Sequence, residues 1–310
     1  MLASIQQQLE QRTCAWPDLT RVCIGDVALS LAGLAAAETE LNSELAPFCK
    51  RGERDADADI EVTIDWASEL HLRSGDKAFD SGSLWTLTRE KEEFVFDFTS
   101  PFLGAAPYKR LRVDSGFRSA RITLSRRLLG EHSPVSPLEY PTDELLITNY
   151  LAAAGLGVEV HGCGLVDSEH GAFLFLGHSG AGKSTTTMLW KSLRDPKILS
   201  DDRLILRLHE GELWMHGTPW HGEAGFASAA KAPLKRIFIL QHGQRNQFRR
   251  MPMAEAVGEL FARCFPPFHS AAGLRNTVEF LNRVASTVPC CEFQFVPGPA
   301  AAEAVLAFHG

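Results

Sequence analysis

The chain has 310 residues, 45% of them hydrophobic and 22% charged, which is the composition of a soluble globular protein with room for one large domain or two ordinary ones. A net charge of -7 offers no general attraction to phosphate backbones or anionic lipid, so neither a nucleic acid nor a membrane surface is an expected partner. No segment approaches the roughly 20 apolar residues that span a bilayer, and Met1–Glu10 lacks a basic region followed by an apolar run, so the expected location is cytoplasmic.

Along the first 130 or so residues, short runs of β-branched and aromatic residues recur between turn signals, at Ile60–Trp66, Ser83–Thr88, Phe94–Phe98 and Arg121–Leu124. Glu61-Val62-Thr63-Ile64-Asp65-Trp66 and Phe94-Val95-Phe96-Asp97-Phe98 alternate polar with apolar residues, as strands with one buried face do. The simplest account is a meander of antiparallel strands. Between them, Arg51–Asp59 is a charged linker or turn with nothing to offer a core. Pro134, Pro137 and Pro141 then punctuate the chain, and Thr142-Asp143-Glu144 opens an apolar helical run to Ala154 that Gly155 closes. A boundary at these prolines divides the chain into a strand-rich domain over 1–135, a candidate substrate or partner module, and a second domain over 136–310.

From residue 157 short apolar segments alternate with helix-length ones: Val158–Val166, Ala172–Leu176, a helix from Lys183, Lys197–Leu199 and Leu204–Leu208. This is the texture of an α/β nucleotide-binding core. Helices at Met253–Cys264 and Leu274–Ala285, a strand at Cys291–Val296 and a helix from Pro299 complete it. The seven cysteines show no metal-ligand spacing and read as reduced, mostly buried thiols. Arg245, Arg249 and Arg250 form a short basic cluster that reads as a solvated face.

Three features carry chemistry. Phe173-Leu174-Phe175-Leu176 reads as a buried strand running into Gly177-His178-Ser179-Gly180-Ala181-Gly182-Lys183-Ser184, which matches G-x-x-x-x-G-K-[ST] and continues with Thr185. Glycines at 177 and 182 let the backbone N–H groups wrap a phosphate chain, and the following helix aims its positive end at the same anion. Lys183 can reach the β- and γ-phosphates, and the Ser184 hydroxyl can ligate a bridging Mg2+. Next, Lys197-Ile198-Leu199-Ser200-Asp201-Asp202 is a short strand ending in two carboxylates, one able to accept a proton from an attacking hydroxyl while its neighbour holds magnesium or its water. Finally, His161 stands one strand before the loop, where a protonated imidazole would suit a phosphate.

The order HG-x-G, G-x-SGAGKST, LSDD at His161, Gly177–Thr185 and Ser200–Asp202 resembles the catalytic domain of the HPr kinase/phosphorylase family, whose P-loop core is similar to that of phosphoenolpyruvate carboxykinases. The resemblance covers roughly residues 155–210. It implies ATP and Mg2+ as cofactors, Lys183 and the loop on the phosphates, Ser184 and Asp202 on the metal, Asp201 or Asp202 as general base, and His161 near the transferred phosphate. Where that family carries Glu-x-Arg-Gly, this chain reads Gly217-Thr218-Pro219-Trp220-His221-Gly222-Glu223, with Glu223 as the candidate second magnesium ligand. HPr itself is therefore not the expected acceptor, and the chain looks more like the HPr-kinase-related proteins of bacteria. Gly217–Phe226 has the composition of a loop that closes over a ligand or of a plain connection, and Lys231, Lys235 and Arg236 are candidates to steady a transferring phosphoryl group.

The expected fold is α/β, a P-loop core of the HPr kinase/phosphoenolpyruvate carboxykinase type with a strand-rich N-terminal domain. The expected activity is phosphotransfer from a nucleoside triphosphate to a serine-type hydroxyl of a peptide, protein or small molecule. A regulatory or scaffold protein that binds nucleotide without transfer is the alternative, and carboxykinase-like chemistry or phosphorolysis a third. The choice between ATP and GTP, and assembly with further copies of the chain, stay open.

Overall fold

The computed structural model describes residues 21–33, 38–50, 58–73, 77–82, 84–130, 134–178 and 180–308. They form a mixed α/β protein with two large sheets, in two compact units, Met1–Ala153 and Ala154–Gly310. The division falls later than the expected 135. The helix that the prolines introduce therefore lies almost wholly in the first unit.

In that unit the strands are β1 (Arg21–Ile24), β2 (Val27–Ala32), β3 (Cys49–Lys50), β4 (Ile60–Ala67), β5 (Lys77–Asp80), β6 (Trp85–Glu90), β7 (Glu93–Ser100), β8 (Gly104–Asp114) and β9 (Ser119–Ser125). They make one nine-stranded sheet in the order β3-β1-β2-β4-β9-β8-β7-β6-β5. The antiparallel meander runs from β5 to β9, but β4 lies parallel to both of its neighbours, β2 and β9, which corrects the all-antiparallel expectation. Short α1 (Arg126–Leu129) and α2 (Thr142–Ala154) complete the unit. Of the charged stretch, residues 51–57 lie outside the described residues. Asp59, at its end, accepts the Ala28 N–H at 2.9 Å and the Tyr150 hydroxyl at 2.9 Å, so it ties β2 to α2.

The second unit contains β10 (Gly157–Asp167), β11 (Gly171–Leu176), α3 (Lys183–Arg194), β12 (Lys197–Ser200), β13 (Arg203–His209), β14 (Glu212–Gly217), β15 (Lys231–His242), β16 (Gln247–Arg250), α4 (Met253–Phe261), α5 (Ala271–Thr287), β17 (Cys290–Phe295) and α6 (Pro299–Ala307). The sheet order is β11-β10-β13-β14-β15-β17-β16, and β11 also pairs with β15, so β10, β13, β14, β15 and β11 close a ring of pairings. β15 makes this possible by its length: Lys231–Pro233 pair with β14, while Ile237–His242 pair with β17.

β11 is buried on both faces, which is why it reads as an unbroken apolar run. Leu174 and Leu176 join a core with Val160, Leu204, Ile237, Phe280 and Val284, beneath α5. Phe173 and Phe175 join the opposite core with Trp190, Phe238, Phe293 and Val305, beneath α3 and α6. β11, β15 and β17 run parallel to one another, so their C-terminal ends gather at one rim of the sheet. In open parallel sheets that rim is where ligands bind.

Candidate functional site

The glycine-rich segment sits on this rim, directly after Leu176 and directly before α3, which begins at Lys183. Gly182 takes φ +100° to turn the chain into the helix, and a Cβ there would lie 2.5 Å from Phe295 Cζ. At Gly177 a Cβ would meet that of Ala181 at 2.7 Å. Both positions thus demand glycine for space, and Gly182 for conformation as well. Gly180 is tied to β15, since His242 Nε2 lies 2.8 Å from its carbonyl oxygen. His178, Ser184 and Thr185 are exposed and Ala181 half-buried, whereas Ser179 lies outside the described residues.

Lys183 is 8% exposed and its ammonium donates to the carbonyls of Gly177 at 2.7 Å and His178 at 3.2 Å. Burial lowers its pKa, Asp202 opposes the fall and the charge of Arg263 adds to it. Beneath the helix, the Thr187 hydroxyl donates to Cys163 Sγ at 2.7 Å, and burial pushes that thiol up to about 12.

β-sheet register brings the acids to the loop. Leu176, the last strand residue before the glycines, is paired with Gly162 of β10, and the Gly162 N–H donates to the Asp202 carbonyl at 2.8 Å. The root of the loop, His161-Gly162 on β10 and Asp202 in the bend between β12 and β13 therefore lie side by side. His161 Nδ1 is 3.0 Å from Asp202 Oδ1, and Arg203 Nε is 3.2 Å from Asp202 Oδ2. Burial raises the Asp202 pKa, but His161 and Arg203 together outweigh it and hold the carboxyl below its ordinary range.

Asp201 is placed differently. It is 5% exposed, and its two oxygens accept the backbone N–H groups of Gly222 at 3.1 Å, Ala224 at 3.0 Å and Phe226 at 3.1 Å. Ser200 adds a bond from its hydroxyl to the Trp220 carbonyl at 3.2 Å, and Trp220 itself is buried. The segment 217–226 is thus a connection pinned to the end of β12. Glu223 stands exposed on it, and Asp201, Asp202 and Glu223 do not form a cluster tight enough to share an ion.

Lys231, Lys235 and Arg236 are not at this rim. β15 runs parallel to β11 with Leu234 beside Ala172 and Ile239 beside Leu176, so all three occupy the end remote from the glycines. Lys231 lies over the Trp214 ring and Arg236 bonds the Phe308 carbonyl. The basic cluster is likewise occupied, with Arg249 paired to Glu255 and Glu292 and Arg245 bonded to Gln247. Two residues that drew no attention in the sequence do reach the rim region: His242, and Arg263 just beyond α4, whose carbonyl accepts the His161 N–H at 2.7 Å. In the first unit a cavity of about 650 Å3 opens over β6 to β8, lined among others by Arg73, Lys77, Trp85 and Asp97.

Compared with known proteins, the chain matches no protein-family model and no curated protein. Among solved structures it is similar to the Hpr(Ser) kinase/phosphatase from Coxiella burnetii, at 11% sequence identity and a TM-score of 0.28, over 48% of this chain and 92% of that one.

Proposed function

We propose that the chain is a magnesium-dependent phosphotransferase that moves the γ-phosphate of ATP to a hydroxyl group. The observation that carries this reading is the alignment of the loop root with Asp202: Leu176 pairs with Gly162 of β10, Gly162 bonds Asp202 in the bend between β12 and β13, and Lys183 is buried at the start of α3. A phosphate chain laid on the loop amides would replace the two carbonyls as the partner of Lys183.

Asp202, not Asp201, is the proton acceptor in this reading, because Asp201 is 5% exposed with three backbone amides on its oxygens, whereas the Asp202 side chain is 25% exposed beside the root of the loop. The acceptor oxygen forms the new bond to phosphorus, the bond from phosphorus to the bridging oxygen breaks with its electron pair on ADP, and the hydroxyl proton passes to Asp202. A carboxyl held below its ordinary range is a weak base but an ionised one at neutral pH, which suits phosphoryl transfer, where positioning and charge matter more than base strength. His161 fixes the carboxylate from one side and Arg203 from the other. Oxygen donors at Ser184 and Asp202 have the hardness that magnesium prefers, and the ion would offset charge on the phosphates. Glu223 is left out of that set.

Incubation with γ-labelled ATP, magnesium and lysate from the source cells should label an acceptor. Lys183→Ala is expected to abolish nucleotide binding, and Asp202→Asn to keep binding while lowering transfer by about 10²–10⁴-fold. Full transfer by Asp202→Asn would remove the acid from the mechanism. A second reading, nucleotide binding without transfer, is favoured by the contacts of His161 and Arg203 with the two Asp202 oxygens. It predicts that a partner is retained in a nucleotide-dependent way while no acceptor is labelled.

A further inference from the structure

At the end of the second unit's sheet remote from the glycines lies a cavity of about 480 Å3 whose lining carries four basic side chains, His170, Lys235, Arg236 and Arg250, and no Asp or Glu. Half-buried Pro289 and Leu306 supply apolar wall, and Cys291 is buried beneath. A cleft lined by one sign of charge focuses its field and concentrates ions of the opposite sign.

Sheet register builds this cavity. Leu234 of β15 stands beside Ala172 of β11 and Arg236 beside Phe173, which leaves Lys235 as the extra residue of a β-bulge. In a regular strand successive side chains take opposite faces, whereas here Lys235 and Arg236 both reach the cavity. The Lys235 stem lies on the turn between β10 and β11, where a Cβ at Gly171 would come within 2.9 Å of its Cγ, and His170 belongs to the same turn. From the other side, Arg250 stands directly opposite Cys291 in the β16–β17 pair, so the two share a face.

The charges around the cavity are unevenly matched. Arg249, on the opposite face of β16, is taken up by Glu255 and Glu292, whereas the side chains of Arg250 and Lys235 have no hydrogen-bond or ion-pair partner among the described residues. On the β10–β11 turn the carboxylates are already engaged, Asp167 by Arg194 and His170 and Glu169 by Arg194. Arg236 is half-buried, bonds the Phe308 carbonyl and lies 5.2 Å from the centre of the Phe308 ring. Its fork is thereby held in place before any ligand arrives, with its remaining N–H donors uncommitted.

We infer that this cavity is an anion site, separate from the glycine segment, that takes a small phosphate monoester: Arg236, Arg250 and Lys235 hold the phosphate, and Pro289 and Leu306 receive its carbon group. Two planar forks and an ammonium suit a compact dianion with several equivalent oxygens, and a cavity of this size holds one small molecule. The inference does not depend on the phosphotransferase reading.

The test is calorimetric titration of full-length wild type and Lys183→Ala with phenyl phosphate, inorganic phosphate and a phosphoserine peptide, the Lys183 variant serving to remove phosphate held at the glycines. Lys183→Ala should bind phenyl phosphate saturably at one site and inorganic phosphate about threefold or more weakly, because the carbon group is missing. Adding Arg250→Gln or Arg236→Gln should weaken phenyl phosphate about tenfold or more, since one or two charge-assisted bonds are lost, while Arg249→Gln should leave it within about twofold. Arg236 also anchors Phe308, so if Arg236→Gln does not fold, Arg250→Gln, whose side chain is exposed, decides; if Lys183→Ala does not fold, the loss caused by Arg250→Gln in the wild-type background decides. Absence of saturable binding, or an affinity that Arg250→Gln leaves within about twofold, overturns the site. Equal affinity for inorganic phosphate overturns the part given to Pro289 and Leu306, and a phosphoserine peptide bound about tenfold more tightly than phenyl phosphate overturns the small-molecule ligand in favour of a polypeptide.

Discussion

His269 lies between α4 and α5 in the second unit, and burial lowers its pKa from 6.5 to about 4. Above pH 6.5 the imidazole is neutral whether the chain is folded or not, so the full stability is present. As pH falls, the unfolded chain takes up the proton first, and stability is lost between pH 6.5 and 4; below about 4 both states are protonated and the loss levels off. Melting temperatures recorded from pH 7 to 4 should fall for the wild type and fall less steeply for His269→Gln. Equal slopes would mean that other groups govern the acid limb. Gly182→Ala tests the turn into α3: a Cβ would meet the Phe295 ring at 2.5 Å and φ is +100°, so a loss of about 2–3 kcal/mol in chemical denaturation is expected, together with weaker nucleotide binding. The sequence made the glycines, Lys183 and both acids visible because they are contiguous with a strand or a helix start. It could not separate Asp201 from Asp202, since the amides that claim Asp201 belong to residues 222–226 and adjacency in sequence says nothing about them. Arg263 was hidden for the same reason. Its place beside His161 comes from a backbone bond between residues far apart in the chain, which has no sequence signature.

Among the elements, those of the second unit were the more legible. β11, α3, β12, α5, β17 and α6 fall where the alternation of short apolar and helix-length segments placed them, because each is buried along one continuous stripe or on both faces. β8 was missed. Its buried positions alternate properly, but one of them is Lys109, fully buried with its ammonium 2.9 Å from Glu139 and 4.8 Å from the Phe98 ring centre, and a lysine on the inward face breaks the apolar pattern. β4 was found, but its parallel neighbours were not, since strand direction depends on connections rather than on residue alternation. Trp190 is the main tie between α3 and β11, 1% exposed and packed on Phe173 and Phe175 at ring separations of 5.8 and 6.2 Å. Trp190→Ala is therefore expected to cost about 3–5 kcal/mol by denaturant titration and to loosen the glycine segment that α3 carries. A change below about 1 kcal/mol would show that the helix is held elsewhere.

For the whole molecule, the two units have separate sheets, and only the second contains the proposed nucleotide site. Calorimetry should then show stabilisation by nucleotide of about 2.7 kcal/mol at a hundredfold excess over Kd, confined to the melting of residues 154–310 and absent in Lys183→Ala. A shift of equal size in Lys183→Ala would place the nucleotide elsewhere. No helix among the described residues is long and apolar enough to cross a membrane. The pinning of segment 217–226 by Asp201 has a consequence for how that segment moves. To swing away as a lid, the segment would have to surrender three bonds to one carboxylate, together about 5 kcal/mol or more, so the opened form would be populated in fewer than roughly one molecule in several thousand. The segment is a fixed wall, and the amide hydrogens of Gly222, Ala224 and Phe226 should exchange with deuterium slowly and at a single shared rate, which Asp201→Asn would raise for all three together.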